Sequence, residues 1–464
     1  MTTRTLVLIG GGHAHIQVLP EVHRSDTLDV VLIANAASAY YSGMIPGHVA
    51  GMYDDDQCKV SLPELCRHYG WTFIQGTVFD INAEERKISY TDRNQESKSI
   101  TYDFASIDVG SCTRNPFRSD VSACRHVVFT RPISDLNTKI STALAMFKVQ
   151  DTTPNIVVIG AGAAGVELAF AVNRQARETL GQPANVTLMS RSSPILRNYA
   201  RSTIRKTMAS LHSKHINVKE NCAIVDYREE EHVVVDTNGS THPADLLIVA
   251  TGAAPHAWVT DTSLPKDERG FIRVDTTLQV VGYNNLFAVG DCNSFDAWNG
   301  EFPPKAGVYA VREGPILVHN LKAVLNKETQ RLKRYQPQSD FLSLLITGDG
   351  AAIGTKWNIT MKGRWVWRLK DHIDRTWMAQ FKSLSHDTRH RHEGQEQEDE
   401  AAPFQPDSDA DVNMVSSLAN TAGKKGMRWP SLLTSATVVV AAVAVFAATC
   451  SLLLSWPPVP VQSQ

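Results

Sequence analysis

The 464-residue sequence has only seven cysteines, and no two of them form a CxxC or CxxxxC pair, which excludes a vicinal redox dithiol. Cys58, Cys66, Cys112, Cys124, Cys222, Cys292 and Cys450 are too scattered for a disulfide framework. No tight Cys/His spacing signals zinc, so free thiols in a reducing compartment and no metal are expected. Strongly basic stretches are also missing, and the net charge is −2, which argues against a nucleic-acid partner. Only Met1 to Arg4 precede the first apolar run, too little for a signal peptide or presequence.

Charge is absent altogether from 431–456, a stretch rich in Val, Ala and Leu. As a helix it would span roughly 39 Å, against about 30 Å of bilayer hydrocarbon, so a single transmembrane helix is expected there. Lys424, Lys425 and Arg428 precede it and an uncharged tail follows. The positive-inside rule then keeps the body cytosolic, a tail-anchored topology whose organelle stays open. The stretch 383–430 is acidic and poor in large apolar residues, the composition of a disordered linker. Its His386, His390 and His392 read as solvated linker rather than metal ligands.

What the sequence does have is one architecture twice. RTLVLIGGGHAHIQVL reads as a buried strand, a glycine turn and a helix start, with a second strand at 28–33. PNIVVIGAGAAGVELAFAV repeats it, with its second strand at 185–189. Two nucleotide-binding βαβ units in an α/β chain are expected. Further strands are read at 71–79, 86–90 and 103–109, in VVVDT and DLLIVATG, and in LFAVGDCN. A helix follows from Ala306, a hairpin spans 341–356, and an amphipathic stretch spans 364–381.

The second turn is the cleaner. Gly160, Gly162 and Gly165, with Ala163 at the helix start, complete GxGxxG and set phosphates at a helix N-terminus. Its second strand ends in Ser190–Arg191, where NAD sites usually carry an acid; a cation without an acid favours NADPH and leaves NADH open. The first turn, Gly10-Gly11-Gly12-His13-Ala14-His15, has His15 at the third glycine position, and Ala34–Asn35 where an acid is usual. His13 and His15 either serve the flavin site or shape the helix start. Asp291, just past a buried strand, is placed to grip a ribityl chain, with the helix near Lys305–Ala306 aiming its dipole at a flavin.

With those residues placed, the chain resembles the pyridine nucleotide-disulfide oxidoreductase superfamily. It is similar to type II NADH dehydrogenases and sulfide:quinone reductases, and more so to the NAD(FAD)-dependent dehydrogenases associated with selenide, water dikinase. The motifs GGGHAHIQVL, YYSGMIPGHVAGMY, IDVGS, GAGAAGVELA, ATGAAP, ERGFIRVDTTLQ, FAVGDC, PKAGVYAVREGP, DFLSLLITGDG and GRWVWRLKDHIDRTWM carry the resemblance in order. It implies two glutathione-reductase-type Rossmann domains: FAD in 1–125 and 271–335, NAD(P)H in 126–270, then a small α+β unit over 336–382. It also implies that Gly10, Gly11, Gly12, His13 and Ala14 lie along the FAD pyrophosphate, with Val78 at the adenine. Gly110, Asp291, Lys305, Ala306 and Gly307 then line the flavin. NAD(P)H falls to Gly160, Gly162, Ala163, Gly165, Ser190, Arg191 and Gly252, and Glu167 faces the nicotinamide–flavin stack.

The expected reaction is hydride transfer from NAD(P)H to flavin, then electron delivery to a second acceptor. A quinone is one such acceptor, although Val308 and Arg312 stand where type II dehydrogenases carry glutamines. Two rival readings stay open: a sulfide- or thiol-oxidising flavoenzyme using two of Cys112, Cys124 and Cys292, and a dinucleotide-binding redox sensor without turnover.

Overall fold

The computed structural model describes residues 3–121, 123–295, 303–338 and 340–386. Its first sheet has the order Leu286–Ala288, Phe104–Ile107, Arg4–Ile9, Leu28–Ala34, Thr72–Asn82, Lys87–Asp92, Ser97–Thr101. Neighbouring pairs among the first five run parallel, and the last two strands add antiparallel. Leu6, Val7, Leu8 and Ile9 are fully buried, as strands covered on both faces require. Ile9 pairs with both Ile33 and Ile107, so Gly10, Ala34 and Asp108 emerge side by side at the carboxyl edge. That edge is where open α/β sheets bind ligands.

The second sheet orders Val127–Phe129, Leu246–Val249, Asn155–Ile159, Asn185–Met189 and Asn217–Lys219, all parallel. Ile159 pairs with Met189 and Val249, which brings Gly160, Ser190 and Ala250 together in the same way. An antiparallel ribbon of Ile224–Arg228, Val233–Asp236 and Thr241–Pro243 follows.

The C-terminal unit departs from the sequence reading in two ways. Its hairpin is a three-stranded sheet, Ser343–Ile346, Ala352–Lys356 and Ile359–Gly363. The last two strands join through Trp357 and Asn358, both at positive φ. A two-residue turn of this kind usually announces itself with glycine, and here it does not. The helix Arg364–His386 also runs past 382, into the segment read as linker. Its Met378 and Phe381 are buried in the core of the first sheet. Among the described residues no helix is long and apolar enough to cross a membrane. The linker from 387 and the expected transmembrane helix 431–456 lie outside the described residues.

Candidate active site

A single cavity of 3620 Å³ joins the two glycine turns. Sites for drug-sized ligands are roughly 300–1,000 Å³, so this one has room for two extended dinucleotides. Gly10, Gly11, Gly12, His13, Val78, Gly110, Asp291, Lys305, Ala306 and Gly307 line its first half. Gly160, Gly162, Ala163, Gly165, Glu167, Ser190, Arg191 and Gly252 line the second. Ala14 is buried behind the first turn instead.

The two turns differ in how they are closed. At Gly165 an added Cβ would come within 1.7 Å of the Gly160 carbonyl oxygen, so the third glycine is obligatory there. In the first unit His15 occupies that place, fully buried. Its ring meets the Gly10 carbonyl at 2.7 Å through Nδ1 and the Ser106 hydroxyl at 2.9 Å through Nε2. Burial lowers its pKa to about 3, so it is neutral and structural. Asp108 is the second difference: it stands where the second unit has Ala250, each backing the first glycine of its turn. One Asp108 carboxylate oxygen accepts from Ala14 N at 3.0 Å and His15 N at 3.2 Å. The carboxylate also fills the space beside Gly12 and Gly290, where a Cβ would come within 2.2 and 2.6 Å of it. Burial raises its pKa to about 7, against the two amide bonds. Asp108 lies in the motif IDVGS but was given no role there, and Ser106 was not singled out, because both act across more than ninety residues of chain.

In the first half of the cavity Asp291 accepts from Ser111 Oγ and pairs with Arg131, both at 3.0 Å. Lys305 donates to the Asn293 carbonyl and lies 4.4 Å from the centroid of the Phe271 ring. The helix begins at Gly307, and an added Cβ there would meet Ser42 Oγ at 2.6 Å. Tyr41 and Trp377 stack at 4.3 Å, and His13 lies beside the pair, 5.5 Å from each ring. Burial lowers the His13 pKa to about 4, which Asp291 opposes, so the ring is neutral.

Glu167 accepts from Ile346 N at 3.0 Å, a bond that ties the second unit to the C-terminal sheet. Burial raises its pKa to about 7, and the Lys370 charge opposes that rise. Lys370 is itself buried. It donates to Asp374 and to the Gly43 carbonyl, both at 2.7 Å. Burial acts against its charge, but Asp374 and Glu167 outweigh burial and hold it protonated. The Tyr41 hydroxyl meets Asp374 from the other side. Glu167, Lys370, Asp374 and Tyr41 thus form one polar chain along the cavity wall.

The six described cysteines are all unpaired. Cys292 is fully enclosed, with its thiol on the Val289 and Ile107 carbonyls. Cys112 lies 3.2 Å from His256 Nδ1, and His256 Nε2 meets the Val109 carbonyl at 3.0 Å. The ring therefore carries its proton on Nε2 and accepts from the thiol, which burial keeps protonated. Cys222, Asp236 and His242, dispersed in sequence, converge with their ligand atoms within 4.8 Å, which the spacing argument against zinc did not foresee.

In the second half of the cavity Ser190 is buried and its hydroxyl turns back to the Ser192 carbonyl at 2.6 Å. Arg191 and Arg197 are exposed and both line the cavity. The loop between them is held in place: Glu220 accepts from Ser193 Oγ and Ile195 N, and Leu196 N donates to the Ala161 carbonyl at 2.9 Å. Arg197 was not singled out in the sequence because nothing there shows the loop folding back on the glycine turn.

The model of the pyridine nucleotide-disulphide oxidoreductase family matches residues 4–320. The chain belongs to that family. A probable NADH dehydrogenase of Dictyostelium discoideum is 27% identical over 51% of this chain and 55% of its own length. A type II NADH:quinone oxidoreductase of Haemophilus influenzae is 22% identical over 74% and 85%. NDH2 from Plasmodium falciparum in complex with NADH has the same fold, with a TM-score of 0.69 at 17% identity over 80% and 97%. An engineered water-forming NADPH oxidase bound to NADPH has a TM-score of 0.60 at 18% identity over 75% and 74%. It is a mutant of an NADH oxidase from Lactobacillus brevis. One of its exchanges turns aspartate to alanine; the next two positions become arginine and serine, and a proline five positions later becomes arginine.

Proposed function

We propose that the chain is an FAD-dependent dehydrogenase that takes hydride from NADPH and passes electrons to a quinone-like acceptor. The observation that carries this is the single cavity joining two glycine turns, with Glu167, Lys370 and Asp374 along its wall. FAD belongs to 1–125 and 271–335 and the coenzyme to 126–270. Bound flavin supplies the hydride and electron chemistry. The protein's own residues hold and insulate it. The glycine turns admit phosphates against backbone amides, and the helix Gly307–Leu325 aims its positive end into the cavity. Glu167, with a pKa near 7, can hold or release a proton beside Lys370, Asp374 and Tyr41. The stacked Tyr41 and Trp377 give the acceptor an aromatic wall. Quinone reduction by the Haemophilus influenzae relative supports that choice of acceptor.

NADPH is favoured over NADH by the loop after the second strand. Ser190, Arg191, Ser192 and Arg197 repeat the spacing of the engineered oxidase: a small residue for the acid, then arginine and serine, then arginine five positions on. Two exposed guanidiniums suit a 2′-phosphate. The uncharged segment 431–456 is read as the anchor, with the body on the side of Lys424, Lys425 and Arg428.

The test is direct. Full-length protein in detergent should be yellow, bleach on NADPH under nitrogen, and regain colour with a soluble quinone. Absence of bound flavin overturns the function, and recolouring only by oxygen overturns the acceptor. The Cys112–His256 contact favours a thiol-oxidising reading, for which Cys112→Ser should abolish turnover; unchanged turnover removes it. Protease added outside sealed cytosol-facing vesicles should remove the body, and full protection overturns the topology.

A further inference from the structure

We propose that Cys222, Asp236 and His242 form a binding site for one divalent cation of the zinc class, set behind the loop that receives the coenzyme. The three donor atoms are of the types zinc takes most often: thiolate sulfur, carboxylate oxygen and imidazole nitrogen. Cys222 Sγ lies 3.7 Å from His242 Nε2 and 3.9 Å from Asp236 Oδ2, and Nε2 lies 3.1 Å from Oδ2. Zinc bonds of about 2.0–2.3 Å at tetrahedral angles put donors roughly 3.3–3.6 Å apart. The observed triangle needs shifts of only a few tenths of an ångström to close on an ion.

The triangle is held from outside. Asp236 Oδ1 accepts from Asn238 N at 2.8 Å and Ser240 N at 3.0 Å, which leaves Oδ2 facing the other two donors. Asp236 and His242 come from facing strands of the ribbon, Val233–Asp236 and Thr241–Pro243. Cys222 is pinned by its amide, which donates to the Ser190 carbonyl at 2.8 Å. Cys222 and Asp236 are buried, and His242 is partly open, so solvent can reach a fourth ligand position.

Charge and proton bookkeeping agree. A thiolate and a carboxylate neutralise a dication, and thiolate selects zinc over magnesium or calcium. Without an ion, the Nε2 proton serves as the bond to Oδ2; an ion takes that proton's place, and the thiol proton also leaves. Lys219 is the opposing element: its Nζ lies 2.9 Å from His242 Nδ1, which must carry the proton once Nε2 binds metal. Lys219 is only partly buried and can turn to solvent. Because Ser190 N donates to the Lys219 carbonyl and its carbonyl accepts from Cys222, an ion here would stiffen the strand end from which Arg191 projects.

The experiment is zinc titration of the full-length flavoprotein after chelator treatment, with a competing indicator and metal analysis after gel filtration. One zinc per chain is expected. Cys222→Ser and His242→Asn should each weaken binding at least tenfold, and Lys219→Met should tighten it. Zinc should raise the melting temperature of the unsubstituted protein but not of Cys222→Ser, whose flavin spectrum reports that it has folded. Cobalt(II) should show thiolate charge transfer that Cys222→Ser removes. No zinc uptake overturns the proposal. Equal uptake by the Cys222→Ser and His242→Asn proteins also overturns it, since the ion then sits elsewhere, as on His386, His390 and His392.

Discussion

FAD retention is expected to depend on pH through Asp108. Its carboxyl group sits against Gly12 and Gly290 at the first turn, where the flavin's pyrophosphate is expected, and it bonds the Ala14 and His15 amides. Burial lifts its pKa to about 7. A raised carboxyl pKa means the folded state prefers the proton. The contribution to stability is full below the ordinary carboxylate range and is lost as pH rises through about 7. A bound pyrophosphate adds negative charge beside it and deepens the preference. If the complex keeps Asp108 protonated, FAD affinity falls up to tenfold per pH unit above about 7, or about 1.4 kcal/mol each. From pH 7, where half the groups are already ionised, to pH 9 that is a loss of at most about fiftyfold. Asp108→Asn is the matched perturbation, because both amides bond one oxygen, which the Asn carbonyl can replace. Equilibrium dialysis of FAD against the deflavinated protein at pH 6 to 9 measures the slope. The unsubstituted protein should release flavin progressively above pH 7 and the Asn variant should not. A flat profile for the unsubstituted protein, or the same slope in the variant, refutes the argument.

Three further outcomes follow from the same geometry. Arg191→Ala with Arg197→Ala should lower the ratio of kcat/KM for NADPH over NADH by about 10²–10⁴, since a hydrogen bond to a charged group contributes about 1.5–3 kcal/mol; an unchanged ratio measured by steady-state oxidation removes the NADPH assignment. Gly165→Ala drives a methyl into the Gly160 carbonyl, so reduction by NADPH in stopped flow should collapse while FAD content stays near normal. Glu167→Gln keeps an acceptor for Ile346 N but not the titrating proton. The pH profile of kcat, expected to fall as pH rises through about 7 where Glu167 ionises, should lose that limb in the variant.

The parts of the fold legible in the sequence were those with local signals. Leu6 to Ile9 and Ile156 to Ile159 are continuous apolar runs followed by glycine, and both are buried in parallel strands. Ser190–Arg191 could be read because position in the βαβ unit fixes where a strand ends. The turn Trp357–Asn358 could not, for want of a glycine. The site's polar wiring was also illegible, because its bonds cross the chain: Arg131 to Asp291 spans 160 residues and Glu167 to Ile346 spans 179. Glu167 was singled out only through the family resemblance, and Lys370 and Asp374 were only polar positions on an amphipathic stretch.

The two glycine turns show why a missing motif residue need not mean a missing site. The third glycine exists to let a helix approach the first turn, and Gly165 meets that demand by having no Cβ. His15 meets it by a different route, turning the same close approach into two hydrogen bonds through a neutral ring. That route needs Ser106 on the next strand, and it leaves the helix-start amides of Ala14 and His15 to Asp108. The first turn is therefore closed by side chains and the second by backbone alone. A side-chain closure can titrate and a backbone closure cannot. On the proposed assignment of FAD to the first unit and the coenzyme to the second, the unit that keeps its ligand carries the closure that can titrate, and the unit that exchanges coenzyme is free of it.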